Sequence, residues 1–205
     1  RIGIVLWGAR AWQDDSVEYE SPAAPLKPGT LLVAGVGLSD GIFDQSVVLL
    51  LDVDESGALG VVLNAFADVE LARVLPAWEA LTSWPHRLFD GGPVSQEGAI
   101  CLASPVDDDE EPPGWRRLFA RVGLLHLETP IELATGGYRD LRIFAGYAGW
   151  APGQLEGELD EGAWHLIASH HEDVFDPDPE TLWRRVLARQ EIGRASCRER
   201  VFSSV

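Results

Sequence analysis

"SVVLLLDVDESGALGVVLN", residues 46–64, decides how the rest of the chain is read. Its two halves, "SVVLLLDV" (46–53) and "GALGVVLN" (57–64), are short apolar runs bounded by Gly, Asp and Ser, the pattern of buried strands. "DESG", residues 54–57, lies between them, and Gly57 can take the positive φ that closes a hairpin. Two antiparallel neighbours are therefore expected, with "TLLVAGV" (30–36) as a further strand beside them.

Working outward, residues 69–81, "VELARVLPAWEAL", have helical spacing at Leu71, Val74 and Leu75, with Pro76 breaking or restarting the helix. "RLFDGGPV", "GAICLA", "LLHLE" (124–128), "LRIFAGY" (141–147) and "AWHLIAS" read as strands, with a short helix from Thr129. "PVDDDEEPPG" (105–114) is a solvated loop, since it lacks the alternating ligands and glycine of a calcium loop. In "DPDPETLWRRVLARQ", Asp178 can cap and Pro179 can take the first helical position, and Leu182 with Val186 and Trp183 with Leu187 form one apolar face. Runs of strands with few helices predict an α+β domain rather than alternating βαβ units.

The ends are set apart. Residues 1–27 are polar and proline-dotted and read as an extended arm; the chain starts at Arg1 without methionine and is expected to be a fragment. "EIGRASCRERV" (191–201) can be encoded by a stretch that opens GAGATCGGAAGAGCG, a common sequencing-library adapter in frame, so residues 191–205 are read as a non-native tail. The expected organisation is arm 1–27, domain 28–190, tail 191–205.

The formal net charge is −17, and the tail contributes three arginines against two glutamates, so the domain itself is slightly more acidic. Nucleic-acid affinity rests on Lys and Arg neutralising phosphates, and the local basic pairs, Arg116–Arg117 and Arg184–Arg185, make no patch, so direct nucleic-acid binding is not expected. The apolar run 47–51 is too short to cross a bilayer, and the first residues lack a signal-peptide cleavage pattern. Outside the tail, Cys101 in "AICLA" stands alone and reads as a packed thiol in a reducing compartment; a cytoplasmic protein is expected.

Several patterns tempt a chemical reading. "GLSDG" (37–41) matches G-x-S-x-G, with His165 and His170 later, but a nucleophile elbow needs a helix after the serine and "IFDQSVVLLLDV" reads as a strand, so Ser39 is read as a turn residue. "HHED" (170–173) has no second ligand pair at zinc spacing and reads as a polar loop, so no metal is expected. "GGPV" (91–94) lacks the G-K-[ST] of a phosphate loop and reads as a tight strand-to-turn crossing where glycine permits close backbone approach.

"GTLLVA", Asp40, Phe43, "SVVLLLDVDESGALGVVLN", "FDGGPV" and "GYAGWAPGQLEGEL", in this order, resemble the YqgE/AlgH family of bacterial proteins over residues 26–190, with "CLA", the acidic loop and "LWRRVLARQ" most like actinobacterial members. The resemblance implies a compact α+β domain with a bifurcated, mostly antiparallel sheet folded into a pseudo-barrel with flanking helices. It also implies no established enzymatic activity, and a label of transcriptional regulator tied to alginate control. Two departures from the pattern the resemblance implies stand out: Val53 replaces a common histidine, and Asn64-Ala65-Phe66 replaces a common Asn-Arg-Pro, so two of the few groups that could act as a proton shuttle or anion clamp are absent.

Within "GYAGWAPGQLEGEL" (146–159), the strand over residues 141–145 is expected to end at a glycine turn, Pro152 to start a helix, and Tyr147 and Trp150 to close one end of the barrel. The favoured reading is packing. The functional reading is a cleft shared by Asn64, Gly91, Gly92, Pro93, Tyr147, Trp150 and Gln154, whose amides, hydroxyl, indole N–H and turn N–H groups suit a neutral or modestly polar ligand. The expected function is a non-catalytic binding or regulatory protein, needing no cofactor and contacting an unidentified protein or small molecule, with neither nucleic acid nor membrane as a direct partner. The alternative is a hydrolase using Ser39 or Ser46, or a thiol function at Cys101.

Overall fold

The computed structural model describes residues 3–4, 25–38 and 41–189; residues 1–2 and 5–24 of the arm, Ser39, Asp40 and residues 190–205 lie outside the described residues. The strands are β1 (Gly3–Ile4), β2 (Thr30–Ala34), β3 (Val47–Asp54), β4 (Gly57–Val62), β5 (Phe89–Asp90), β6 (Val94–Pro105), β7 (Trp115–Phe119), β8 (Val122–Leu125), β9 (Tyr138–Trp150) and β10 (Trp164–Ala168). The helices are α1 (Leu71–Val74), α2 (Pro76–Glu79), α3 (Ile131–Ala134), α4 (Gln154–Asp160), α5 (His171–Val174) and α6 (182–189), the last entered through a 3₁₀ turn, Pro179–Thr181.

The strands form one mostly antiparallel curled sheet in the order β10-β2-β3-β4-β9-β6-β8-β7, with β1 on β6 and β5 on β9 as the parallel pairs. The opening hairpin is as expected: Asp54 pairs with Gly57, Gly57 has φ 126°, and Ser56 N donates to Asp54 Oδ1 at 2.7 Å. Pro76 restarts the helix, as read: Leu75 breaks out at φ −137° and ψ 61°, and Pro76 begins α2.

The sheet bifurcates at β9. Residues 138–147 pair with β6, whereas Ala148, Gly149 and Trp150 pair with β4. Gly146 sits at the change of partner with φ 67°, and a Cβ there would stand 2.5 Å from the Gly92 carbonyl oxygen. The expectation that the strand stops at Gly146 is thus corrected: glycine bends the strand and lets it continue.

Three apolar clusters follow from the alternation of side chains across this curled sheet. The inner cluster joins Leu31, Leu49, Val61, Phe89, Leu102 and Phe144, and is closed by Val174, Leu182 and Val186 from the C-terminal segment. A second, on the outer face of the β6–β9 half, takes Leu71, Trp78, Leu88, Cys101, Trp115 and Ile143. The third, on the outer face of the β2–β4 half, takes Leu32, Val48, Leu50, Trp150, Leu155 and Trp164.

Three further expectations are corrected. β7 was not foreseen; its hairpin with β8 turns at Ala120 with φ 42°, and a register shift at Arg117 leaves Arg116 and Arg117 both exposed, which breaks the alternation that marks a strand. "HHED" is not a loop: residues 171–173 open α5 and His170 is its N-cap residue, whose N–H donates to Asp173 Oδ2 at 2.7 Å. Pro152 lies in the turn before α4, which starts at Gln154 after Gly153 at φ 76°. No described helix is long and apolar enough to cross a membrane.

Candidate functional site

The seven residues of the expected cleft fall into two groups, one at the Gly91 turn and one around Trp150. Asn64 ties the start of β3: its Oδ1 accepts from Val47 N at 2.8 Å and its Nδ2 donates to Gln45 O at 2.9 Å. Gly91 and Gly92 are buried at the crossing with β9, where Gly91 N donates to Ala145 O at 2.7 Å and Gly92 N to Asp90 Oδ1 at 3.0 Å; Pro93 is exposed beside them. The close approach read from "GGPV" is present, since a Cβ on Gly92 would lie 2.5 Å from Tyr147 O.

Tyr147 and Trp150 take opposite faces of β9, as their odd spacing on a strand requires: Tyr147 packs on the inner cluster and Trp150 lies in the outer cluster of the β2–β4 half. Trp150 Nε1 donates to Glu158 Oε2 at 2.9 Å. Gln154 is exposed, accepts from Ala151 N at 3.0 Å and donates to Glu158 Oε1 at 2.9 Å. The structure therefore brings Gly91 and Gly92 to Tyr147 and to the segment of Asn64, where Val62 N donates to Gly91 O and Asp90 N to Ala65 O at 3.0 Å, and brings Trp150 to Gln154 on the other face of β9.

Sequence reading missed the centre of the second group, Glu158. It accepts three hydrogen bonds, including one from Trp164 Nε1 at 2.8 Å, and Phe43 stacks at 6.3 Å from Trp150 and edge-on at 5.6 Å from Trp164. Burial alone would push this carboxyl up; the bonds from Trp164, Gln154 and Trp150 outweigh that and hold it below its ordinary value.

A second polar cluster surrounds Asp140. Ser83 Oγ donates to Asp140 Oδ1 at 3.2 Å, and His171 Nε2 lies 3.4 Å from Asp140 Oδ2. These are the residue types of a hydrolase triad, but the carboxylate stands between serine and histidine, whereas a base must touch the nucleophile. Ser83 Oγ also accepts from Leu141 N at 3.1 Å. Next along β9, Arg142 is buried, donating to Val174 O, Asp176 O and Trp84 O at 2.9, 2.8 and 3.2 Å and lying 4.3 Å from the Phe89 ring. Burial lowers its pKa to about 10 despite Asp140 nearby, so it stays charged at neutral pH.

Two other candidate nucleophiles, Cys101 and Ser46, are enclosed. Cys101 is buried, and loss of solvation pushes its thiol well above the ordinary range. Ser46 is 5% exposed. Among the described residues no group of three His, Cys, Asp or Glu is placed to hold a metal.

An open cavity lies elsewhere, a groove of about 460 Å³ between α1, α2 and the chain entering β5, lined by residues 67–72, Glu79 and residues 86–88. Leu71 and Leu88 are buried at its base, Ala67 and Ala72 are half-buried, and Val69 is exposed at its wall. His86, at φ 56°, stands on the rim with its ring edge-on to Trp84 at 5.9 Å, and Trp84 is 64% exposed. Helical spacing in residues 69–81 marks one wall in the sequence; the other comes from residues 86–88, joined to it by Ala67 N donating to Leu88 O at 3.0 Å.

Comparison with known proteins agrees with this architecture. An AlgH-like family model matches residues 31–195. A UPF0301 protein of Streptomyces avermitilis is 51% identical over 165 residues, covering 79% of this chain and 86% of that protein. One from Mycobacterium avium is 37% identical over 182 residues, covering 87% and 90%. A crystal structure of a Corynebacterium diphtheriae protein superposes with a TM-score of 0.76 at 30% identity, covering 82% of this chain and 88% of that one. The solution structure of the AlgH protein of Pseudomonas aeruginosa gives 0.62 at 26% identity, covering 85% and 93%. The chain belongs to the AlgH-like family.

Proposed function

We propose that this protein is a non-catalytic binding or regulatory protein, acting in the cytoplasm through a protein or small-molecule contact at the groove beside Trp84. The observation that carries the reading is that groove: a concavity lined largely by polar and charged side chains, with Leu71 and Leu88 buried in its lining and an exposed indole next to it. The engagement of Asn64, Gln154, Glu158, Ser83 and Asp140 in internal hydrogen bonds supports a structural role for them. Any part in transcription is indirect, because a net charge of −17 repels duplex DNA.

The test is a screen of small molecules and short peptides against the isotope-labelled chain, read by amide NMR. Hits are expected to shift residues 67–72 and 86–88. Hits confined to other faces would reject the groove. Stoichiometric labelling by a covalent serine-hydrolase probe, abolished by Ser39→Ala or Ser46→Ala, would replace the binding reading with the hydrolase one. A gel-shift titration is expected to show no duplex DNA binding at physiological salt.

A further inference from the structure

The groove carries an electrostatic asymmetry that narrows what it can hold. Asp68, Glu70 and Glu79 line it, all three are exposed or half-exposed, and none makes a side-chain hydrogen bond or ion pair among the described residues. The lining also holds His86 and one permanent cation, Arg87, whose guanidinium lies 4.0 Å over the Phe66 ring, so the carboxylates outnumber it three to one. The lining thus carries a net negative charge beside the buried Leu71 and Leu88, on a chain whose charge of −17 draws cations at long range. An anionic ligand would meet repulsion here, and a neutral one would leave the carboxylates unused.

We propose that the groove docks a basic segment of a partner protein, with one apolar side chain entered over Leu71 and Leu88 and flanking lysines or arginines against Asp68, Glu70 and Glu79. This rests on the binding reading given above and names its ligand class. About 460 Å³ lies within the roughly 300–1,000 Å³ typical of small recognition pockets and has room for such an anchor.

The full labelled chain is titrated with three capped peptides, Lys-Lys-Leu-Phe-Lys-Lys, Ser-Ser-Leu-Phe-Ser-Ser and Glu-Glu-Leu-Phe-Glu-Glu. The basic peptide is expected to shift amides 67–72 and 86–88 and to bind at least about tenfold more tightly than the acidic one. Raising salt from about 0.05 to 0.5 M should weaken it roughly fivefold, by screening. Glu70→Lys with Glu79→Lys should weaken it about tenfold without changing Tm, since both side chains are exposed. Glu110→Lys with Glu132→Lys makes the same charge change at exposed positions outside the groove and should leave binding within about twofold, separating docking from general attraction to an acidic surface.

Failure of the basic peptide to shift the groove, or equal weakening by both double variants, would overturn the proposal. Tighter binding of the neutral or acidic peptide in the groove would overturn the cationic assignment and leave the binding reading standing. A groove silent to all three peptides and to the small-molecule screen would remove both.

Discussion

Glu158 shows how one side chain holds several elements. Its two oxygens receive the indole N–H groups of Trp150 and Trp164, which are 6% and 3% exposed, together with the Gln154 amide. Glu158→Ala would leave two buried donors unpaired, at about 1–3 kcal/mol each, so a loss of about 2–6 kcal/mol is expected in urea denaturation. Gln154→Ala removes one exposed member and is expected to cost no more than about 1 kcal/mol by the same measurement. Because the folded carboxyl lies below its ordinary value, the stability it contributes is present above the usual glutamate range, about pH 4.3, and is lost as pH falls through the lower folded value. Urea midpoints measured from pH 7 to 3 should therefore fall more steeply for the parent chain than for Glu158→Gln. Cys101 is expected to resist a thiol reagent in the native state at neutral pH and to react on unfolding, as read by peptide mass mapping that distinguishes it from Cys197.

At the scale of elements, β9 makes the fold, because it belongs to both halves of the sheet. A side chain at Gly146 would have to adopt φ 67° and meet the Gly92 carbonyl. Positive φ costs a non-glycine residue about 1–3 kcal/mol before any clash, so Gly146→Ala is expected to lose at least about 3 kcal/mol in a denaturant titration. A loss below about 1 kcal/mol would mean the crossing can relax. α6 is held differently. Leu182 and Val186 are buried, while Trp183 is half-buried with its indole N–H on Ala34 O at 2.8 Å. Trp183→Ala is therefore expected to cost about 2–3 kcal/mol, less than the roughly 3–5 of a fully enclosed aromatic.

For the whole molecule, the C-terminal segment seals the inner cluster, and buried charges fasten it. Asp173 accepts from Arg189 at 3.0 and 2.8 Å and from His170 N at 2.7 Å; Asp176 pairs with Arg185; and Arg142 reaches across from β9 to Val174 O and Asp176 O. Asp173→Asn weakens the pair with Arg189, which is itself partly exposed, so a loss of about 2–4 kcal/mol is expected. Hydrogen exchange should show the 171–189 segment opening at lower free energy in that variant, while β3 and β9 keep their protection.

The sequence by itself determined the opening hairpin, the interruption at Pro76, the glycine crossing, the α+β class and the family resemblance. Each rests on local chemistry: a turn that needs positive φ, a proline without an N–H, apolar runs bounded by turn residues. Only the tertiary structure decided which of these segments meet. The expected cleft residues offer hydrogen-bonding groups, but period-2 alternation sends Tyr147 and Trp150 to opposite faces, and the amides of Asn64 and Gln154 are taken up by Val47 and Gln45 and by Ala151 and Glu158. Glu158 looked like one carboxylate among many in "QLEGELDEG" until two tryptophans from separate strands were folded onto it. β7 was hidden because adjacent arginines and a bulge erase the strand pattern. The groove was half legible, since its helical wall has a period while residues 86–88 have none, and their place opposite is set by a backbone bond between residues 67 and 88. Local preference acts over a few residues, whereas a site is made by contacts between residues far apart in the chain, and those become definite only once the sheet has curled.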